Sequence, residues 1–102
     1  MTEFSKQVYF LVSQIPKGKV TTYKELANAL GTKGYRAVGQ ALHRNPFAPK
    51  VPCHRVVKEN GLVGGYSKGV TKKIKLLKEE GIEIKNFKVT NLEDFLFKDF
   101  KF

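Results

Sequence analysis

The chain has 102 residues, 41% of them apolar, with eight Phe, four Tyr, no Trp, a single Cys and a formal net charge of +10. That length sustains one core, burying roughly 65% of the surface an unfolded chain exposes, and excludes two full domains. One cysteine excludes a disulfide-stapled secreted scaffold, and the apolar runs are too short for an integral membrane protein.

The first segment carries Phe4, Val8, Leu11, Val12 and Ile15 on one face of a helix, stopped by Pro16 and Gly18. Thr22-Tyr23-Lys24-Glu25 then reads as a capping box, in which Thr22 caps the third helical amide and Glu25 reaches back. A short helix follows to Leu30, closed by Gly31. A second helix is predicted from Tyr35 to Arg44, with Tyr35, Val38 and Leu42 inward and Arg36, Gln40, His43 and Arg44 on the other side. The pair makes a helix-turn-helix over residues 22–44. Ala37, Gly39 and Ala41 leave the second helix thin, and a glycine inside a helix costs roughly 1 kcal/mol relative to alanine, a cost that close approach of another backbone would justify. Three prolines between Asn45 and Cys53 then force an extended or turned path.

Beyond the cysteine, Asn60-Gly61 lies between Val56-Val57 and Leu62-Val63 and predicts a hairpin. Gly64, Gly65 and Gly69 surround Tyr66 and Ser67 in a loop that can approach a ligand. A helix from about Val70 to Glu80 puts Val70, Ile74 and Leu77 inward and Lys72, Lys73, Lys75 and Lys78 mostly outward, ending at Gly81. A second hairpin is predicted around Lys85-Asn86. Thr90 or Asn91 then caps a short helix bearing Leu92, Phe95 and Leu96, followed by Phe97, Phe100 and Phe102 in a tail folded back on the core, with partner docking as the other reading. The fold class is mainly α with short β-hairpin elements, a winged-helix-like helix-turn-helix domain over residues 1–102.

Charge and chemistry narrow the function. Residues 1–78 carry 15 Lys and Arg against 3 Asp and Glu, whereas residues 79–102 carry 4 against 6. A basic region seeks a polyanion, usually nucleic acid, bound in a salt-sensitive way because neutralised phosphates release counterions. The competing reading is a lysine-rich solvated surface. With no charged-then-apolar leader, the chain reads as intracellular and cytoplasmic. Pro52-Cys53-His54-Arg55 is chemically suggestive, because a thiol needs a neighbouring base or cation to become a nucleophilic thiolate. A lone cysteine is also commonly a small buried hydrophobe. One Cys and two His, at positions 43 and 54, supply no four-ligand zinc set, so no metal is expected.

The stretch from Val20 to Gly81 closely resembles the DNA-binding and active-site domain of the O6-alkylguanine-DNA alkyltransferases, the methylated-DNA:protein-cysteine methyltransferases. Six signatures carry the likeness: Val20-Thr21-Thr22-Tyr23, Arg36-Ala37-Val38-Gly39, Arg44-Asn45-Pro46, Pro52 to Val57, Gly64-Gly65-Tyr66-Ser67, and Leu76 to Gly81. Their shared order and spacing, over about three fifths of the chain, make the resemblance specific.

The resemblance implies single-turnover transfer of an alkyl group from O6 of guanine in DNA, with O4 of thymine a second source, to Cys53. His54 matches the family's base, acting on the thiol through a water, and Glu80 the carboxylate that orients it. Tyr23 and Arg36 match the pair that extrudes the base and fills the stack. Ala37, Gly39 and Gln40 lie on the helix that members place in the minor groove of double-stranded DNA. Asn45 matches the hinge asparagine between recognition helix and active-site segment (45–67), and Val56, Tyr66 and Ser67, with Tyr23, match the base pocket. Singly, Asn45 reads as a helix C-cap, Tyr23 as a core residue and Ser67 as a turn former. No cofactor and no membrane partner are implied, and a monomer is expected. The chain departs from the commoner architecture in beginning almost at the active-site domain, with a C-terminal extension over 82–102. The alternative is a non-catalytic alkyltransferase-like protein, which binds the lesion without repair and typically carries Trp at the cysteine position.

Overall fold

Thr2 opens the first helix, α1 (Glu3–Val12), its hydroxyl accepting the Ser5 amide at 3.0 Å. The computed structural model describes residues 2–102. Val8, Leu11 and Val12 on the predicted stripe are buried, and Ile15 is buried just beyond the helix. A two-residue strand, β1 (Thr21–Thr22), leads into α2 (Tyr23–Leu30). Thr22 caps α2 by accepting the Glu25 amide at 3.1 Å, and Gly31 ends it in the left-handed conformation at φ 71°. Only half of the predicted capping box forms. The strand at Thr22 sets the entry to the helix, and the carboxylate at this end comes from Glu59, which accepts the Lys24 amide at 2.8 Å. An anion there complements the helix dipole.

The recognition-type helix, α3 (Tyr35–His43), packs on α1 and α2 through Val38, Ala41 and Leu42. Two expectations change here. Tyr35, predicted inward, is 45% exposed. Ala41, read as part of a thin outer face, is buried, and its carbonyl accepts the Tyr9 hydroxyl at 2.7 Å. The small residue therefore admits α1, as the tyrosine of α1 reaches across.

After the proline-rich loop comes a single 3₁₀ turn (Cys53–Arg55) and then β2 (Val56–Val57). β2 pairs in parallel with β1, Thr21 with Val56 and Thr22 with Val57. Successive residues of a strand face opposite ways, so Val56 joins the core of the first three helices while Val57 joins a second cluster with Val20, Val63, Leu77, Ile82 and Val89. The hairpin predicted around Asn60-Gly61 is instead a tight turn, with the Lys58 amide donating to Leu62 O at 2.8 Å. Leu62 and Val63 turn to the chain's end, where Leu62 bridges Lys88 and the Val63 amide donates to Phe87 O. β2 has its partner in β1, so the turn dipeptide reverses the chain without forming a ladder.

Helix α4 (Val70–Glu79) buries Leu77 as predicted, but Val70 is exposed and Lys73, predicted outward, is wholly buried. The second hairpin forms as β3 (Ile84–Lys85) and β4 (Lys88–Val89), its turn built on Asn86 and Phe87 at φ 52° and 63°. A last short turn of helix, α5 (Leu92–Phe95), follows Asn91, which makes no side-chain capping bond. Val20 ties the tail down, accepting the Phe97 amide at 2.7 Å and donating to Phe95 O at 2.9 Å. Phe97 and Phe100 meet edge to face at 5.1 Å against the first core, whereas Phe102 stays exposed. The aromatic tail therefore packs on its own chain for most of its length. No helix among the described residues is long and apolar enough to cross a membrane.

Candidate active site and nucleic-acid interface

Pro52 bends the backbone at φ −81°, ψ 63°, and the Cys53 amide closes the bend on Val51 O at 2.8 Å. This is an inverse γ-turn followed by a 3₁₀ turn, and it turns Cys53 and His54 both inward, where an extended strand would point them apart. Cys53 is 5% exposed and His54 2%. Asn45 braces the loop that delivers the turn: its Nδ2 donates to Val51 O at 3.0 Å and its Oδ1 accepts the Phe47 amide at 2.9 Å. The residue is a tie between the end of α3 and the cysteine segment, and Arg44 takes the C-cap position.

Behind the cysteine, Glu80 binds two cationic or polar groups at once. The His54 Nε2 donates to Glu80 Oε2 at 3.0 Å, and Arg55 forks onto the same carboxylate through Nε to Oε1 at 2.9 Å and Nη2 to Oε2 at 2.8 Å. The remaining Arg55 Nη1 donates to Ile15 O at 2.8 Å. Burial alone would raise the Glu80 pKa, but Arg55 and then His54 outweigh it and hold the carboxyl below the ordinary carboxylate range. Burial holds His54 below the usual imidazole value, against the opposing pull of Glu80. Burial thus favours the neutral ring. With Nε2–H given to the carboxylate, its lone pair lies on Nδ1, a buried atom with no hydrogen-bond partner among the described residues.

Lys73 is the functional candidate that sequence reasoning placed in solvent. Its Nζ donates to Val56 O at 2.7 Å and Gly65 O at 3.0 Å, and burial depresses its pKa from 10.5 to about 8. Among the described residues no carboxylate pairs with it. Burial pushes the Cys53 thiol up, while the Asn45 side chain and then the Lys73 ammonium pull it back. Arg55 lies within the Pro52 to Val57 signature with no role of its own legible there. Its position directly after a histidine and 25 residues before Glu80 carries no local signal of a fork.

A cavity of about 110 Å³ is lined by Tyr23, Gly39, His43, Cys53, Gly65 and Tyr66. The Tyr23 hydroxyl lies over Gly64, where φ is +74°, a conformation that favours glycine, and where a Cβ would stand 3.3 Å from the hydroxyl and press on it. Burial raises the pKa of Tyr23 and of Tyr66, so both phenols keep their protons as donors. Of the expected base-pocket residues, Tyr23 and Tyr66 stand on this wall. Val56 does not: its side chain is in the core and its carbonyl is taken by Lys73. Ser67 is exposed and outside the wall. Arg36, Ala37 and Gln40 are exposed on α3, and Arg36 borders a surface groove with Tyr23, Tyr35, Gly39, Lys58 and Glu59.

Residues 3–82 match the family model described as 6-O-methylguanine DNA methyltransferase, DNA binding domain. A methylated-DNA-protein-cysteine methyltransferase of Metallosphaera sedula is 55% identical over 82 residues, which cover 80% of this chain and 51% of that protein. The crystal structure of O6-methylguanine-DNA methyltransferase from Pyrococcus kodakaraensis superposes with a TM-score of 0.74 at 48% identity, covering 80% of this chain and 48% of that one. S. pombe Atl1, in complex with damaged DNA containing O6-carboxymethylguanine, gives a TM-score of 0.83 at 36% identity, covering 96% and 97% of the two chains. The chain spans about half the length of the methyltransferase relatives.

Proposed function

The chain belongs to the family of the 6-O-methylguanine DNA methyltransferase DNA-binding domain, and from that premise we propose that it repairs alkylated DNA by taking the alkyl group onto Cys53. The observation that carries this reading is the place of the sole thiol: on the wall of a cavity it shares with two tyrosines, beside a histidine whose outer nitrogen is already engaged by Glu80. Tyr23 crowds the backbone of the damaged nucleotide, Arg36 takes the place of the extruded base, and α3 enters the minor groove of double-stranded DNA. That groove is only about 6 Å wide, which suits the Ala37, Gly39 and Gln40 surface. The protein acts as a monomer inside the cell.

His54 Nδ1 takes the thiol proton through a bridging water. The thiolate attacks the alkyl carbon in line, the carbon–O6 bond breaks, and its electron pair leaves on the guanine, which takes up a proton to complete the balance. The thioether remains, so each molecule acts once. Incubation with a duplex containing O6-methylguanine is expected to add one methyl per chain on Cys53, read by mass spectrometry of the intact protein and its peptides. Tight binding with no mass gain would instead favour the lesion sensor. That second reading draws on the near-complete overlap with S. pombe Atl1, but a Cys at position 53 and the absence of Trp favour transfer.

Two further results are expected. Arg36→Ala should slow transfer from duplex DNA about tenfold while slowing transfer from a single-stranded oligonucleotide far less, because a single strand has no paired stack to refill. Equal losses on both would remove the stack-filling role. Lys73→Met should lower the rate of Cys53 alkylation by iodoacetamide at pH 7.5 about tenfold, as expected when a cation beside a thiolate is lost. The gap between 10.5 and about 8 corresponds to a burial penalty of about 3 kcal/mol. A depressed folded value means that stability rises with pH between about 8 and 10.5 and loses that part below 8. The methionine variant should lack this slope and melt within a few degrees of the parent, since relief of the penalty offsets two carbonyls left unpaired at about 1–3 kcal/mol each. A large drop in melting temperature with unchanged thiol reactivity would make Lys73 a structural tie alone.

A further inference from the structure

Only three side-chain carboxylates stand among the first 78 residues: Glu3, Glu25 and Glu59. Glu3 and Glu25 lie in the first turns of α1 and α2, where an anion complements the helix dipole. Glu59 is on no helix. It belongs to the tight turn that follows β2, in which the Gly61 amide closes on Lys58 O at 2.8 Å. Its Oε1 reaches 35 residues back along the chain to accept the Lys24 amide at 2.8 Å. That bond fixes an exposed side chain that would otherwise swing in solvent. It holds the carboxylate on the surface groove lined by Tyr23, Tyr35, Arg36, Gly39 and Lys58, where Glu59 is the sole acidic member. The charge reaches the Tyr23 phenol, whose pKa is raised first by burial and then by Cys53 and Glu59.

The same groove carries Arg36 and Lys58, cations of the kind a DNA backbone seeks. A fixed anion among them opposes any phosphate that approaches, whatever the base sequence or lesion. Backbone attraction supplies essentially all of non-specific binding, and undamaged sites vastly outnumber damaged ones. A chain of net charge +10 is therefore at risk of being held on undamaged DNA. We propose that Glu59 is an electrostatic filter on the DNA face: pinned by the Lys24 amide, its carboxylate lowers the affinity for DNA backbone and frees the protein from undamaged duplex. This rests on the reading that Tyr23 and α3 face DNA.

The test measures affinity for a short undamaged duplex at two salt concentrations. Glu59→Gln keeps an oxygen to accept the Lys24 amide and removes only the charge, whereas Glu59→Lys reverses it. Affinity should rise about fivefold in the first and about twentyfold in the second at about 50 mM salt, and the glutamine gain should shrink below about twofold at about 300 mM, where exposed charges are screened. A purely structural role would not grade with charge. Unchanged or weakened binding in both variants overturns the filter. Arg36→Ala, measured beside them, tells the two failures apart. If it weakens binding while the Glu59 variants do not strengthen it, the filter alone falls; if it too has no effect, the placement of α3 on DNA falls with it. If the Glu59 variants bind as expected and no methyl reaches Cys53 from a damaged duplex, the filter stands and the repair reading falls.

Discussion

Cys53→Ala is expected to abolish alkyl transfer outright while leaving lesion binding and the fold in place. The sulfur is the only thiol in the chain, so no second acceptor can substitute for it. Its contribution to packing is small: one sulfur at the edge of the first core cluster, facing a cavity on one side. Loss of that atom is expected to cost about 1 kcal/mol of stability, below the 2–5 kcal/mol typical of removing a large aliphatic side chain. Duplex affinity, measured at fixed salt because phosphate contacts dominate it, should change less than threefold. Retention of any methyl on the variant would show that another atom accepts the group. Unfolding of the variant would mean that the cysteine is a core residue and that its place beside the cavity is incidental.

Glu80→Gln is expected to have the next largest effect, on rate and stability together. The substitution preserves shape but removes the charge that receives the Arg55 fork and the His54 Nε2–H. A carboxamide can donate to the ring as readily as accept, so the tautomer with its lone pair on Nδ1 is no longer enforced. Neutralising the corresponding group in a serine triad lowers turnover about 10⁴-fold. Here the base acts through a water, and a fall of about 10²-fold or more in the single-turnover rate is the expected result. Breaking a buried pair from one side costs about 3–5 kcal/mol; Glu80 keeps some solvent contact, and about 2–3 kcal/mol is the expected loss.

The pH dependence separates the two effects. A carboxyl held below its ordinary value stabilises the fold fully above about 4.5, the unfolded value, and loses that stabilisation as pH falls through the folded one. Urea titrations from pH 6 to pH 3 should therefore show a slope in the parent that the glutamine variant lacks. Loss of stability with an unchanged rate would make Glu80 a structural pin for Arg55 and leave the orientation of His54 to other groups.

Much of this molecule is legible one segment at a time. The stripe from Phe4 to Ile15, the Thr22 cap, the Gly31 stop and the Asn86 turn are each decided within a few residues, because capping, periodicity and turn chemistry act over one or two turns of chain. The pattern Pro52-Cys53-His54-Arg55, read with five other signatures in order, was likewise sufficient to identify the family and to bring Cys53, His54, Glu80 and Asn45 into view.

What remained hidden depends on which distant segment lies opposite. Lys73 sits on a lysine-rich helix face and reads as solvated until the carbonyls of Val56 and Gly65 are found against it. Val56-Val57 looks like half of a hairpin until Thr21-Thr22 takes the edge in parallel. Ala41 looks like part of a thin outer surface until Tyr9 reaches it from α1. The fork of Arg55 on Glu80, and the meeting of Gly39 and His43 with the cysteine in one cavity, join residues from separate elements. By itself the order of amino acids determined the helices, their ends and the chemical groups available. Only the tertiary structure decided which polar groups left water and what they met there, because the free energy of burying a charge is set by its partners and not by its neighbours in the chain.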